Sequence, residues 1–284
     1  MQNIWRIRDL LDWTTRYFSE KGLDKPRLEA ELLLAEALGK DRVYLYTNYD
    51  LPVNRNEREI YKEWIKRRVR GEPLAYITEH KEFMSLDFKV NHHVLIPRPD
   101  TEILVETAMK AAEDFEGEIR ICDVGTGSGA IAVSLAFYLK KAKVYATDIS
   151  PEALDVAREN AQRNGVELVL GQGDLLEPFK DEERFHIITA NLPYINEAEY
   201  EALDITVRGY EPRLALFAPG DGLDIYRRLV PEAYELLENN GYLLIEIGYN
   251  QAEEALKVVK DFASAEIIKD LAGRDRVIKA KKEE

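Results

Sequence analysis

The stretch that most constrains the fold is Asp123-Val124-Gly125-Thr126-Gly127-Ser128-Gly129-Ala130. It joins a strand-like run, Ile119 to Val124, to a helix-like run, Ala130 to Leu139. Glycines spaced this way let the backbone turn sharply and approach a ligand closely, and the helix that follows offers its N-terminal amides to a negative group. Strand-like runs recur at Lys143 to Thr147, Glu167 to Leu170, Phe185 to Ala190 and Tyr242 to Glu246, with helical periodicity at Glu152 to Asn164 and Leu223 to Leu237. That alternation predicts an α/β architecture with a doubly wound parallel sheet, its ligands outside the carboxyl ends of the strands.

The loop alone does not choose a ligand. Asp148 ends the second strand, where a carboxylate accepts two hydrogen bonds from ribose hydroxyls. Gly-Thr-Gly-Ser-Gly-Ala also satisfies the degenerate dinucleotide pattern, so adenosylmethionine and a nicotinamide cofactor both fit. Asp123 shifts the balance, because a carboxylate there suits an ammonium or sulfonium and repels a pyrophosphate. Asp174, after the third strand, is placed to bond an adenine amine while Leu175 packs on the ring; a plain turn aspartate is the competing reading.

Charge and periodicity set the first part of the chain apart. The whole carries 39 basic and 53 acidic residues, net −14. Up to Ala75 there are 15 basic and 13 acidic residues, which leaves +2 there and −16 beyond. Apolar residues at helical spacing in Ile4 to Phe18 and Leu28 to Leu38, with Pro26 in a first turn and Gly39 past an end, predict a small helical bundle. Its third helix, Asn56 to Val69, bears a basic stripe of Arg58, Lys62, Lys66, Arg67, Arg68 and Arg70, either a docking face or a solvated one. Gly71-Glu72-Pro73 breaks that helix, and Tyr76 to Thr78 and Phe83 to Val90 alternate like strands. The expected organisation is a bundle over 1–72, a hairpin linker over 73–93 and a catalytic domain over 94–284, with Lys279 to Glu284 as a charged tail. Cys122 is the lone cysteine, so no disulfide framework and no multi-thiolate zinc site is possible. With no long apolar run, and no apolar leader in Met1-Gln2-Asn3-Ile4-Trp5-Arg6, the expected compartment is the cytoplasm.

Asn191-Leu192-Pro193-Tyr194 follows the fourth strand directly. Elsewhere such a tetrapeptide is an ordinary turn. At the mouth of the sheet beside the glycine loop, the Asn191 side-chain oxygen and the Leu192 backbone carbonyl supply two acceptors for the two protons of a planar –NH₂. Held so, the nitrogen lone pair turns toward an electrophilic methyl carbon, and transfer follows from positioning. Tyr194 is expected to wall the pocket, and the scheme uses no metal and no side-chain nucleophile. Of the histidines, His80, His92, His93 and His186, none lies in the tetrapeptide, and no general base is assigned. Glu246 and Arg98 are candidates for the edge of the site.

These motifs together resemble a class I, Rossmann-like methyltransferase of the amino-group-methylating type. More narrowly, Gly71-Glu72-Pro73-Leu74-Ala75-Tyr76-Ile77, the block Val94 to Glu102 (Val-Leu-Ile-Pro-Arg-Pro-Asp-Thr-Glu), Glu211-Pro212-Arg213-Leu214-Ala215-Leu216 and the block Asp270 to Arg276 resemble the release-factor glutamine methyltransferase family over essentially the whole chain. The resemblance implies methylation, by S-adenosyl-L-methionine, of the side-chain amide nitrogen of the glutamine in the Gly-Gly-Gln motif of translation release factors, with S-adenosyl-L-homocysteine as product. It carries the cofactor positions to Gly125, Thr126, Gly127, Ser128, Gly129, Asp148 and Leu175, the substrate tetrapeptide to Asn191, Leu192, Pro193 and Tyr194, and a release-factor grip to the bundle. Asn191 borders both ligands. The family usually has a second proline where this chain has Leu192, and some members have an aromatic residue at Leu175. Leu192 keeps the carbonyl but loses the ring that fixes φ and adds an N–H that needs a partner, so a looser turn is expected. A nucleic-acid adenine or guanine amino-methyltransferase shares the logic of the tetrapeptide, but the −16 portion lacks a nucleic-acid footprint. A cofactor-sensing adaptor without turnover is disfavoured by the intact acceptor pair. A monomer without stable nucleic-acid or membrane binding is the expectation.

Overall fold

In the computed structural model residues 4–283 are described, and the reading of Met1, Gln2 and Asn3 lies outside them. The chain divides into two compact units, residues 1–79 and 80–284.

The first unit is helical: α1 (Ile7–Glu20), α2 (Pro26–Ala37), α3 (Arg42–Thr47), α4 (Arg55–Val69) and α5 (Leu74–Thr78). Leu11, Phe18, Leu33, Leu34 and Leu45 form its core, and the buried Tyr61 hydroxyl donates to the Ala30 carbonyl at 3.1 Å. Pro26 opens α2 as its first residue, where its missing N–H costs nothing. One expectation fails here: Tyr76 to Thr78 are helical, because Pro73 starts a short turn of helix that buries Tyr76 and Ile77. The basic stripe is partly spent within its own unit. Arg68 binds Glu29 at 2.5 Å and Arg67 binds Glu72 at 2.5 Å, which leaves the exposed Lys62 and Lys66 paired only with helix neighbours.

The second unit opens with an antiparallel hairpin, β1 (His80–Phe83) and β2 (Leu86–Lys89). The hairpin belongs to this unit and is no free linker, because β2 is tied down by a buried asparagine described below. The remaining elements are α6 (Glu102–Ala112), β3 (Ile119–Val124), α7 (Ala130–Tyr138), β4 (Ala142–Asp148), α8 (Pro151–Arg163), β5 (Val169–Gln172), β6 (Phe185–Ala190), α9 (Glu197–Ala202), α10 (Ile205–Arg208), α11 (Asp224–Leu236), β7 (Leu237–Glu246), α12 (Ala252–Val258), β8 (Ser264–Lys269) and β9 (Asp275–Lys281). The sheet order is β5-β4-β3-β6-β7-β9-β8. Strands β3 to β7 run parallel, whereas β9 pairs antiparallel with both β7 and β8. The antiparallel end was not foreseen, and Lys279 to Lys281 of the expected tail lie in β9, where Ala280 is fully buried.

Burial on both faces explains the apolar strands. Along β3, Ile119 and Ile121 pack into one cluster with α6 and α7, while Cys122 and Val124 pack into the other with Tyr226, Leu229 and Ala233 of α11. From β3 the chain steps outward through β4 and β5, then returns to place β6 on the other side of β3. This reversal sets the carboxyl ends of β3 and β6 side by side, with Val124 opposite Ala190. The glycine loop and the tetrapeptide therefore leave the sheet as neighbours, at the crevice where such sheets bind ligands. Among the described residues no helix is long and apolar enough to cross a membrane.

Candidate functional site

A cavity of about 400 Å³ opens at this crevice. The glycine loop lines one side through Gly125, Thr126, Gly127 and Ser128, with Asp148, Asp174 and Leu175 beyond it and Asn191, Leu192 and Pro193 opposite. Gly125, Gly127 and Gly129 all have positive φ. Gly125 has a second reason to lack a side chain, since a Cβ there would come within 2.6 Å of Leu192 Cδ2. Gly129 itself is not on the cavity surface; its bare backbone lets Ala157 of α8 pack against the loop.

Two side chains hold the loop in place. The Asp148 carboxylate accepts from the Gly127 N–H at 2.8 Å and from the Ser150 N–H at 2.9 Å, so one acid fixes both the loop and the start of α8. Fully buried Asn160 donates to the Ser128 carbonyl at 2.8 Å and to the Lys89 carbonyl at 2.9 Å, and accepts from the Lys89 N–H at 2.7 Å. Thus the hairpin braces the loop through one side chain. Leu175 adopts a left-handed conformation, φ 48°, and its carbonyl accepts from the buried Thr147 hydroxyl at 2.7 Å. Asp174 pairs with Arg228 at the rim, a cation that pattern reading did not find.

Asp123 stands apart from its expected place. It is fully buried inside β3 and does not line the cavity, so a direct contact with a bound cation is not part of this arrangement. Its Oδ1 accepts from the Thr189 hydroxyl at 2.9 Å, and its Oδ2 has no hydrogen-bond partner. Burial pushes its carboxyl up to about 7, with the negative charge of Asp148 contributing. A buried acid raised in the folded state binds a proton that the unfolded chain has released, so stability falls as pH rises between about 4 and 7 and then levels off. The raised carboxyls of Asp148 and Glu246 act with the same sign. Asp123→Asn is expected to flatten the thermal midpoint across that window relative to the parent protein, measured by unfolding scans without ligand; equal slopes would disprove it.

The tetrapeptide is held by a buried polar network. Asn191 Nδ2 donates to the Thr101 hydroxyl at 3.2 Å, which turns Oδ1 away as the free acceptor. Tyr194 does not line the cavity; burial pushes its phenol up, and the hydroxyl donates to Glu246 at 3.1 Å behind the tetrapeptide. Glu246 is itself buried, one of its oxygens lacks a partner, and burial raises its carboxyl against the opposing pull of Thr101 and Arg276. Arg276 in turn reaches Asp100 at 3.0 Å and Asp270 at 3.3 Å. Buried Glu211 accepts from Arg98 at 2.5 Å and from the Ile96 N–H at 3.1 Å. The blocks around Val94–Glu102 and Glu211–Leu216 therefore both line the cavity, and Asp270–Arg276 is tied to the first of them through Asp100, although long stretches of sequence separate the three. His92 and His93 also line the cavity, while His186 accepts from the Arg120 N–H at 3.0 Å within the sheet.

Residues 9–78 match the PrmC N-terminal domain and residues 115–279 a methyltransferase domain. The release factor glutamine methyltransferase of Geobacter sulfurreducens is 46% identical over 277 residues, covering 97% of this chain and 96% of that protein. The chain belongs to the release factor glutamine methyltransferase family. The Moorella thermoacetica member is 44% identical over 98% of this chain and 99% of its own length. A methyltransferase structure from Pyrococcus furiosus, at TM-score 0.51 and 18% identity, covers 77% of this chain and 98% of that one, and shares the fold alone. A class I methyltransferase sheet in a chain of this family accounts for the reversal at β3 and β6 and for the paired motifs on its two strand ends.

Proposed function

We propose that this family member transfers the methyl group of S-adenosyl-L-methionine to the side-chain amide nitrogen of the glutamine in the Gly-Gly-Gln motif of translation release factors, leaving S-adenosyl-L-homocysteine. The observation that carries the reading is the fixed orientation of Asn191, whose amide donates to Thr101 and so keeps Oδ1 as an acceptor beside the cavity.

The cavity suits the methyl donor on its own features. Its loop has no room for side chains at Gly125 and Gly129, and the carboxylates of Asp148 and Asp174 stand on its wall as acceptors for hydroxyls and an amine. Gly125 to Gly129, Asp148, Asp174 and Leu175 would hold the donor, which supplies an electrophilic methyl carbon when bound. This chain's own part in the transfer is positional. Asn191 Oδ1 and the Leu192 carbonyl accept the two protons of the substrate –NH₂, fix its plane and favour the positive charge that develops on nitrogen as the bond to carbon forms. The amide proton is acidified by that charge and leaves to solvent. Pro193 keeps the turn rigid, and Tyr194 with Glu246 supports it from behind.

The helical unit is proposed to contribute to gripping the release factor, with Lys62, Lys66 and Arg70 among its exposed cations. Incubation with S-adenosyl-L-methionine and a release factor, followed by intact mass and peptide mapping, is expected to show one added methylene on the glutamine of Gly-Gly-Gln. Label found in bulk nucleic acid instead would overturn the reading in favour of a base amino-methyltransferase.

A further inference from the structure

Leu192 brings to the tetrapeptide a backbone N–H that a proline would lack, and that N–H is not left open. It donates to the Tyr226 hydroxyl at 3.0 Å, and the same hydroxyl donates to the Glu246 backbone carbonyl at 2.5 Å. Strands β6 and β7 last pair at Ala190 and Ile245. Just beyond that pair the phenol of α11 bridges the two chain segments, between the Leu192 N–H and the Glu246 carbonyl. Tyr226 is fully exposed to neither solvent nor cavity: it is completely buried, and burial pushes its phenol far up, so the hydroxyl stays neutral and serves as donor and acceptor at once.

We infer that Tyr226 is a positioning residue for methyl transfer, its hydroxyl replacing the conformational restraint that a proline ring at position 192 would provide. A proline fixes φ covalently, whereas Leu192 leaves φ free unless its N–H is bound. The bound N–H fixes the Asn191–Leu192 peptide plane and with it the φ of Leu192; the Leu192 carbonyl, one of the two acceptors for the substrate amide, lies one torsion further on, where the following Pro193 restricts ψ. The Leu192 side chain adds a second anchor by packing over Gly125, so a shift at 192 is felt by both halves of the site. The sequence-based expectation of a loose turn is thereby replaced by a turn held by a hydrogen bond from a distant helix.

The inference rests on the proposed methyl transfer for its kinetic readout, and a second readout needs no substrate. Tyr226→Phe is expected to lower kcat about tenfold or more in the parent chain, with KM for S-adenosyl-L-methionine changed less than about threefold. In the Leu192→Pro background, where no N–H remains to be bound, the same change is expected to cost less than about threefold, a coupling that independent sites would not show. Equal losses in the two backgrounds, or no loss in the parent, overturn the inference; a merely structural tyrosine gives equal losses. Replacing Leu192 with its α-hydroxy acid, which exchanges the N–H for an oxygen while keeping Tyr226, covers the case in which Tyr226→Phe does not fold and is expected to reproduce its loss of kcat. Hydrogen exchange at the Leu192 amide, read by NMR with adenosylhomocysteine present, is expected to accelerate in Tyr226→Phe. An unchanged exchange rate overturns the inference whether or not a release factor is the substrate, while absent methylation with accelerated exchange faults only the proposed function and supports the hydrogen bond.

Discussion

Asn191→Ala is expected to lower turnover by about 10²–10³-fold, the usual cost of deleting one preorganised polar group at a developing charge. The affinity for adenosylhomocysteine is expected to change by less than about threefold, since the glycine loop and Asp148 are untouched. The reason lies in the division of labour within one amide. Nδ2 is committed to Thr101, so the acceptor faces the cavity without waiting for substrate to orient it. Thr101→Val tests that point separately. It keeps Asn191 but removes the group that sets its orientation, and a loss of about tenfold in kcat is expected, between the parent and Asn191→Ala. Single-turnover methylation of a release factor, with adenosylhomocysteine binding by calorimetry, measures both. Turnover near the parent level in Asn191→Ala would remove the two-acceptor scheme.

The contrast between Asn191 and Thr101 shows what sequence patterns carry. Asn191 follows a strand inside a recognisable tetrapeptide, so its place at the cavity could be read from local order. Thr101 lies ninety residues earlier, just before α6, where it makes no cap hydrogen bond and turns to Asn191 instead. The central strands were legible because burial on both faces makes them continuously apolar; Ile119–Val124 and Phe185–Ala190 fall where the pattern put them. Strand β8 was missed because its alternation is broken, with Ser264, Glu266 and Lys269 exposed at the sheet edge and little apolar surface to mark it. Asp123 was misplaced for a related reason. A carboxylate near a glycine loop suggests a ligand contact, but strand pleating turns this one between sheet and helix, where Thr189 meets it. Tyr226 and Asn160 carried no signal at all, because each bonds backbone groups whose position depends on the sheet already being formed.

Asn160→Ala is expected to be the most destabilising of these changes. The side chain sits in α8 with no exposure and satisfies three backbone groups: the Lys89 N–H, the Lys89 carbonyl and the Ser128 carbonyl. Alanine suits a helix well, so helix propensity offsets part of the loss, by about 0.5 kcal/mol. The larger effect is that these groups lose their partner where water has poor access, at about 1–3 kcal/mol for each that stays unsatisfied. A net loss of roughly 3–5 kcal/mol follows, equivalent to a fall of about 10 °C in thermal midpoint for a unit of this size. The consequence for function differs from that of Asn191. Here the loop itself loosens, since Ser128 is released between Gly127 and Gly129, so binding of the methyl donor should weaken by about tenfold or more while kcat at saturation falls less. Asn160→Asp separates the two effects. It can still accept from the Lys89 N–H but cannot donate to either carbonyl, and its buried charge would face both oxygens. Stability and donor affinity should therefore fall at least as far as in alanine at neutral pH and recover partly as the acid is protonated. Thermal scans and adenosylhomocysteine titrations on both variants decide it. Parent-like donor affinity in Asn160→Ala would mean that the hairpin does not brace the glycine loop.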